Sequence, residues 1–193
     1  MRKFLPWIVI GGAVLLLLFY YMNVKNSALR YNQAVGKEWG NVETAYQRRN
    51  DLIGNLVNTV KGAADFEKST LTAVIEARAK ATSVTIDPSN ITPEQMSQFQ
   101  QAQTGVTSSL SRLLVSVEQY PDLKANENFK KLQDELVSTE NQILTSRTRF
   151  NESVQAYNGY VLAMPQSMFL SSYPEKPYFK SAEGADKPVE VKF

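Results

Sequence analysis

Neither cysteine nor histidine occurs among the 193 residues of this chain. The lack of cysteine excludes disulfides, thiolate metal ligands and a thiol nucleophile. The lack of histidine removes the commonest general base, the usual zinc ligand and the Glu-x-x-His motif of di-iron helix bundles. Most enzyme classes thereby lose their usual side chains, so we predict a protein that is not an enzyme and holds no cofactor or metal.

An excess of charge of one sign is also missing, because 21 basic and 19 acidic residues give a net charge of +2. These charges are interspersed along the chain, and no basic stripe stands out. A nucleic-acid partner is therefore not expected. The length fits one modest domain with a real core, and the 43% hydrophobic content is ordinary for a globular protein.

One long charge-free run lies near the N-terminus, over residues 4–24, “FLPWIVIGGAVLLLLFYYMNV”. As a helix it would rise about 31 Å, which matches the hydrocarbon core of a bilayer. Trp7 near one end, with Tyr20 and Tyr21 near the other, fit the two interfacial aromatic belts. A cleaved signal peptide is the alternative, but the run is long and has no small-x-small ending. We predict that residues 1–24 form a retained single-pass anchor in the cell membrane.

The direction of this anchor depends on basic residues that flank both of its ends. Arg2 and Lys3 precede the span, whereas Lys25, Arg30 and Lys37 follow it. The positive-inside rule is therefore close to a tie. The compact leading cluster favours an N-terminus inside, which would leave the soluble part on the outer side.

Apolar residues after the anchor recur at spacings of three and four, which predicts helices over residues 25–164. The first helix should end at Gly62, and the second should run from about Asp65 to Ser83. “TPEQ” begins the third with Thr92 as N-cap in a capping box. Pro121 should end that helix, after which Asp122 caps a fourth that stops before Pro165.

The predicted helix lengths also indicate a topology. If the chain turns at Gly62, the first helix rises from the membrane, the second falls, the third rises and the fourth returns to the surface. We therefore predict an all-α fold, in which an N-terminal transmembrane helix is followed by an antiparallel four-helix bundle with long helices. Residues 165–193 are rich in Pro and aromatic residues and form an irregular C-terminal tail.

Arg48 and Arg49 interrupt the apolar seam of the first helix, and Arg49 lies on it. Counting helical rise places Arg49 level with about residue 142 on the fourth helix, beside Glu140. We predict a buried polar layer in which Arg49 pairs with Glu140 and which Glu67 joins from the second helix. Such a layer adds little net stability but can fix register. The alternative is an anion or lipid-phosphate site built on Arg48 and Arg49.

The same counting leaves only the first and fourth helices near the membrane, as a two-helix stalk. Its contact residues are Tyr31, Val35, Trp39, Phe150, Tyr157, Tyr160 and Val161. Two helices cannot bury so many aromatic side chains between them, and an exposed apolar surface marks an interaction site. Because every copy is tethered in one membrane, we predict a homo-oligomer. The alternative is that the chain's own C-terminal tail covers these residues.

Several segments read together resemble the LemA family. They are “YQRRNDLIGNLVNTVKG”, “EARAKAT”, “YPDLKANENF”, “TENQILTSRTRFNESVQAYN” and the terminal “GADKPVEVKF”. The resemblance covers nearly the whole chain and implies a membrane-anchored antiparallel helical bundle. It implies no catalytic residues.

Two functions follow as expectations. The first is a self-assembling structural or scaffold protein of the cell envelope. The second is a binding module that captures an envelope partner protein or an anionic lipid through Arg48 and Arg49 or through the aromatic tail. In that tail, Met168, Phe169 and Leu170 would enter the membrane interface or seal a contact between subunits. The alternative is that the tail forms an ordered strap over the stalk.

Overall fold

The computed structural model describes residues 5–62 and 66–180, which form five helices and one 3₁₀ turn. The helices are α1 (Leu5–Lys61), α2 (Lys68–Ser83), α3 (Pro93–Val117), α4 (Pro121–Ala125) and α5 (Glu127–Leu162), and the 3₁₀ turn is Gln166–Phe169. No strand occurs within these ranges. The all-α prediction is confirmed.

The anchor and the first bundle helix are one continuous helix. Helix α1 contains 57 residues and is therefore about 85 Å long. No proline or glycine lies near the boundary expected at residues 24–25, so nothing in the local sequence interrupts the backbone hydrogen bonds there. The stretch from Trp7 onward is long and apolar enough to cross a membrane, and its side chains are exposed rather than packed on the bundle.

The predicted helix ends agree with the structure at three points and differ at two. Helix α2 begins at Lys68 rather than at about Asp65. Helix α1 ends at Lys61, and the Gly62 N–H donates to the Thr59 carbonyl at 3.3 Å. Thr92 forms the complete capping box at the start of α3, which ends at Val117 before the proline. Asp122, however, lies in the short helix α4 and does not cap α5. The cap is Asn126, whose Oδ1 accepts from the Phe129 N–H at 3.1 Å.

The helices pack as an antiparallel bundle. Helix α5 runs back along α1, and α2 packs against α3. The pairing of α1 with α5 is in register over most of its length, because Trp39 meets Phe150 and Tyr31 meets Tyr160. Helix α5 therefore returns to the level at which the apolar part of α1 begins.

Two apolar clusters make up the core. The distal cluster lies among α1, α2, α3, α4 and α5 and includes Ile53, Val74 and Leu113. The proximal cluster, nearer the apolar end of α1, includes Trp39 and Phe150. Only α1, α5 and the start of α3 contribute helices to this second cluster. The remaining cover comes from two segments without regular secondary structure.

The first of these segments is the loop of residues 84–92, which contributes Ile86 and Ile91. The second is the segment of residues 170–180, here called the C-terminal strap, which contributes Leu170 and Phe179. The strap runs from the end of α5 back along that helix. It occupies the position that further helices fill in the distal half of the bundle.

Candidate functional site: the Arg49 layer, the arginine groove and the strap

Arg49 is the most deeply buried charged side chain in the described part of the chain, with 2% of its surface exposed. Its Nη1 lies 3.2 Å from Glu140 Oε1 and 3.3 Å from Thr107 Oγ1, and its Nη2 donates to Gln103 Oε1. The guanidinium also packs against the Tyr46 ring, 4.9 Å from its centroid. Three helices thus supply partners for one buried charge.

This polar layer lies at the boundary between the two apolar clusters. On α1, Tyr46 belongs to the proximal cluster and Ile53 to the distal one. On α5, Ile143 and Leu136 flank Glu140 in the same way. A helix that slid by one turn would therefore bury Arg49 against apolar side chains, and the layer opposes such a slip.

Glu67, the third predicted member, is not part of the layer. It precedes α2 at the far end of α1, about 18 Å of helix rise beyond Arg49. Its carboxylate accepts from the Ser69 and Thr70 hydroxyls at the start of α2. Glu67 was predicted to join because it falls on an extension of the apolar stripe of the first helix, but that helix ends at Lys61, before this residue. Asp65, the other acidic residue expected at the start of the second helix, lies outside the described residues.

The charge of Arg49 affects its neighbour Tyr46. Burial raises the pKa of the Tyr46 hydroxyl, and the positive charges of Arg147 and Arg49 offset part of that rise. The phenol is therefore neutral at physiological pH and serves as an apolar ring with a polar edge.

A surface groove runs beside the layer, between α1 and α5 on the face away from α2 and α3. It is lined by Asn41, Thr44, Ala45, Arg48, Ser138, Asn141, Gln142, Thr145, Ser146 and Arg149. None of these ten residues is acidic. Arg48 and Arg149 make no ion pair or side-chain hydrogen bond with any other described residue. We call this the arginine groove, and its chemistry suits an anion.

The C-terminal strap is held to α5 through its backbone. Asn158 donates to the Lys176 carbonyl and accepts from the Lys176 N–H, both at 2.9 Å. Asn151 pairs with Phe179 in the same way, at 3.1 and 2.9 Å. Seven residues of helix rise about 10 Å, close to the roughly 9 Å that three residues of extended, proline-rich chain cover. The two asparagines therefore fit the strap at a matching spacing.

Side chains of the strap complete the proximal core. The Phe179 ring stacks on Trp39 at 6.0 Å between centroids and meets Phe150 edge-on at 5.3 Å. Lys176 is 3% exposed, and its ammonium donates to the carbonyls of Pro88 and Ser89 at 3.2 and 2.9 Å. Burial lowers the pKa of Lys176. This lysine joins the strap to the loop of residues 84–92.

The predicted stalk residues are consequently not left for a second copy to cover. Val35, Trp39, Phe150, Tyr157 and Val161 are each at most 3% exposed within a single chain. The two predicted stalk helices do pair, but they are not alone at this level, because the start of α3, the strap and the loop of residues 84–92 also cover these side chains.

Two other stalk residues lie at the membrane end of the bundle. The ring of Tyr31 contacts that of Tyr160 at a tilt of 34°, with 5.0 Å between centroids, and Tyr31 is 37% exposed. The Tyr160 hydroxyl donates to the Val24 carbonyl at 3.4 Å. Among the predicted interface residues, Trp7 is 73% exposed, and the rings of Tyr20 and Tyr21 both contact a residue of the 3₁₀ turn.

Sequence reasoning missed Gln103, Lys176 and the asparagines of α5 as structural partners. A weak signal was present, since Asn151 and Asn158 are seven residues apart on the inner side of a predicted helix. Polar residues in an apolar seam require partners, and these partners come from a segment with no periodicity of its own.

Residues 38–193 match the sequence model of the LemA family. The chain belongs to the LemA family. The match begins beyond the apolar span and includes the Arg49 layer, the arginine groove and the strap. The resemblance predicted from the motifs is thereby confirmed.

Known relatives of this LemA-family chain include three magnetosome proteins. It is 26% identical over 168 residues to MamQ 1 and MamQ 2 of Paramagnetospirillum magneticum, which covers 77% of the chain and 62% of each relative. It is 22% identical over 143 residues to protein LemA of Metamycoplasma hominis, covering 74% of the chain and 62% of that protein. The chain thus spans less than two thirds of the length of these relatives. Together with its apolar helix, they indicate a membrane-associated helical protein.

Proposed function

We propose that this chain is a single-pass membrane-anchored structural protein of the cell envelope, a scaffold and not a catalyst. The observation that carries the proposal is the continuity of α1. The same helix contains the apolar span and the central seam of the bundle, so movement of one is transmitted to the other. A bundle joined in this way is held at a fixed height and angle relative to the bilayer.

The names of the relatives support a structural role. Three of them are named for the magnetosome, and none of the four names is that of an enzyme. The absence of histidine and cysteine removes the side chains that most catalytic sites use.

Rigid coupling can be measured with two spin labels across the boundary between span and bundle. Phe19 and Lys37 are 67% and 78% exposed, the latter for its side chain. They are 18 residues apart, or five full turns, so their Cα atoms should be about 27 Å apart on one face of α1. Because the chain has no cysteine, Phe19→Cys/Lys37→Cys protein in nanodiscs carries only these labels. A narrow distance distribution is expected, and a broad one would remove the basis of the scaffold proposal.

Self-association remains part of the proposal, although the stalk aromatics are not its contact. Lys37→Cys and Val137→Cys place single thiols at exposed positions near the membrane and near the distal end, respectively. Cross-linking in native membranes should give dimers from one or both variants. If neither gives dimers above the background of an unrelated anchored protein, the proposal of a self-assembling scaffold is wrong.

Labelling of Val137→Cys by an impermeant maleimide on intact cells tests the outer location of the bundle.

A second function, capture of an anionic partner segment, is favoured by the arginine groove. Arg49 is buried and both of its terminal nitrogens are paired within the layer, so the predicted pair of Arg48 and Arg49 is replaced by Arg48 and Arg149. Arg48 lies about 36 Å of helix rise beyond Val24, which is too far for a phosphate of the same membrane. A fluorescent hexaglutamate peptide should bind the intact protein and lose binding with Arg48→Gln/Arg149→Gln. Arg112→Gln protein is the control and should bind the peptide as well as the intact protein does. If the intact protein, the control and the double variant all bind equally, the groove is not the binding site.

A further inference from the structure

We infer that residues 162–169, which connect α5 to the strap, are a second membrane contact, with Leu162, Met164 and Met168 inserted into the interfacial region of the bilayer beside α1. This segment, here called the membrane-contact turn, includes the 3₁₀ turn. The inference rests on the proposed anchor but goes beyond it, because an anchor alone needs only the apolar span.

The position of Phe169 gives the depth of the turn. Its ring meets Tyr20 and Tyr21 edge-on, each at 6.0 Å between centroids. A charge-free span that ends at Val24 places these two tyrosines about 5 Å inside its end, at 1.5 Å of rise per residue. Phe169 therefore lies at the level of the aromatic belt, and the turn around it cannot be far above the lipid surface.

The outer side of the turn is apolar and uncovered. Leu162 is 56% exposed, Met164 72% and Met168 69%. The 3₁₀ turn packs against α1 through Phe169, which places these side chains near the exposed apolar part of that helix. A patch of this kind costs free energy in water and is stabilised when lipid covers it.

The membrane-contact turn and the residues that flank it carry no charge, as insertion into lipid requires. Residues 153–174 contain no Asp, Glu, Lys or Arg. Lys25 follows the span, and its ammonium lies over the rings of Tyr21 and Tyr173, at 5.7 and 5.5 Å from their centroids. Such a lysine can place its stem along aromatic surface and its charge at the headgroups. It marks the border above which charged residues resume on both α1 and the strap.

Lipid is the occupant that these observations favour over a second copy of the chain. The exposed side chains of the turn share their level with a helix that is itself surrounded by lipid. Any copy packed against them would have to displace that lipid, whereas the bilayer is already in place.

Fluorescence quenching by lipid tests the depth of the turn in the full chain. Met168→Cys, Phe19→Cys and Val115→Cys each carry one NBD label, in vesicles of phosphatidylcholine with or without 5-doxyl phosphatidylcholine. Val115 is a matched control, because it is 70% exposed and apolar but lies near the distal end of α3. Quenching at Met168→Cys is expected to reach about half of the signal, as for groups located 5–10 Å into the interface, with little at Val115→Cys.

The three labels separate failure of the turn from failure of the anchor. Quenching at Phe19→Cys without quenching at Met168→Cys would overturn the inference and leave the anchor intact. A label at Met168→Cys that shifts to the blue with protein density, without lipid quenching, would assign the surface to a second copy instead. No quenching at Phe19→Cys would overturn both. Equal quenching at Val115→Cys would show a bundle lying flat and would also overturn the turn as a separate contact.

Discussion

Replacing Phe179 with alanine removes the side chain on which the proximal core depends. Phe179 is 5% exposed and contacts the rings of Trp39, Phe99 and Phe150. Truncation of a buried phenylalanine to alanine costs about 3–5 kcal/mol when the cavity does not collapse. The strap has no regular secondary structure, so it can also detach as a unit. In that case the decrease in the free energy of unfolding cannot exceed the free energy by which docking of the strap stabilises the bundle.

The assay needs one tryptophan and one matched control. In a Trp7→Phe background, Trp39 is the only tryptophan and stacks directly on Phe179. Tyr178→Ala is the control, because Tyr178 is the neighbouring aromatic residue and is 39% exposed. Urea unfolding followed by circular dichroism gives the free energy of unfolding, and acrylamide quenching reports the exposure of Trp39 in the folded state.

Phe179→Ala should lower the free energy of unfolding by several kcal/mol or, if the strap detaches, expose Trp39 to acrylamide while the helical signal is retained. Tyr178→Ala should do neither, within about 0.5 kcal/mol. If the two variants behave alike, the strap does not complete the core. The stalk aromatics would then need another cover, and the argument for an oligomeric stalk would return.

Three further predictions concern the polar layer, alkaline pH and a helix cap. Arg49→Met should lower the free energy of unfolding by about 1–3 kcal/mol, because buried Gln103 loses its hydrogen-bond donor. Arg49→Met/Gln103→Leu should recover most of that free energy in urea melts, and a double variant no more stable than the single variant would contradict this. The pKa of Tyr157 is raised to about 12 by burial, so the unfolded chain ionises first and stability should fall between about pH 10 and 12. Tyr157→Phe should reduce that fall, and an unchanged pH profile would refute the assignment. Thr92→Ala should cost about 1 kcal/mol by thermal denaturation through loss of the capping box, with Thr72→Ala as an exposed control in the interior of α2.

Local patterns were sufficient to predict every helix except the short α4. The turn at Gly62 and the capping box at Thr92 depend on a few adjacent residues and were predicted correctly. The level of Glu140 opposite Arg49 followed from the fixed rise of a helix, and the two side chains are in contact. Asn126 was missed as the cap of α5 because Asp122 is an equally good capping residue by composition.

The partners of non-periodic segments were decided by tertiary structure alone. Nothing in the spacing of the tail indicates that Phe179 packs in the proximal core and bonds to Asn151, which lies 28 residues earlier in the chain. Nor does it indicate that Lys176 bonds to the carbonyl of Pro88. An extended segment has no repeating face, so its register depends on the groove that receives it. The apolar span, the four longer helices and the pairing of Arg49 with Glu140 were therefore determined by sequence periodicity. Cover of the stalk by the chain itself was decided by long-range packing.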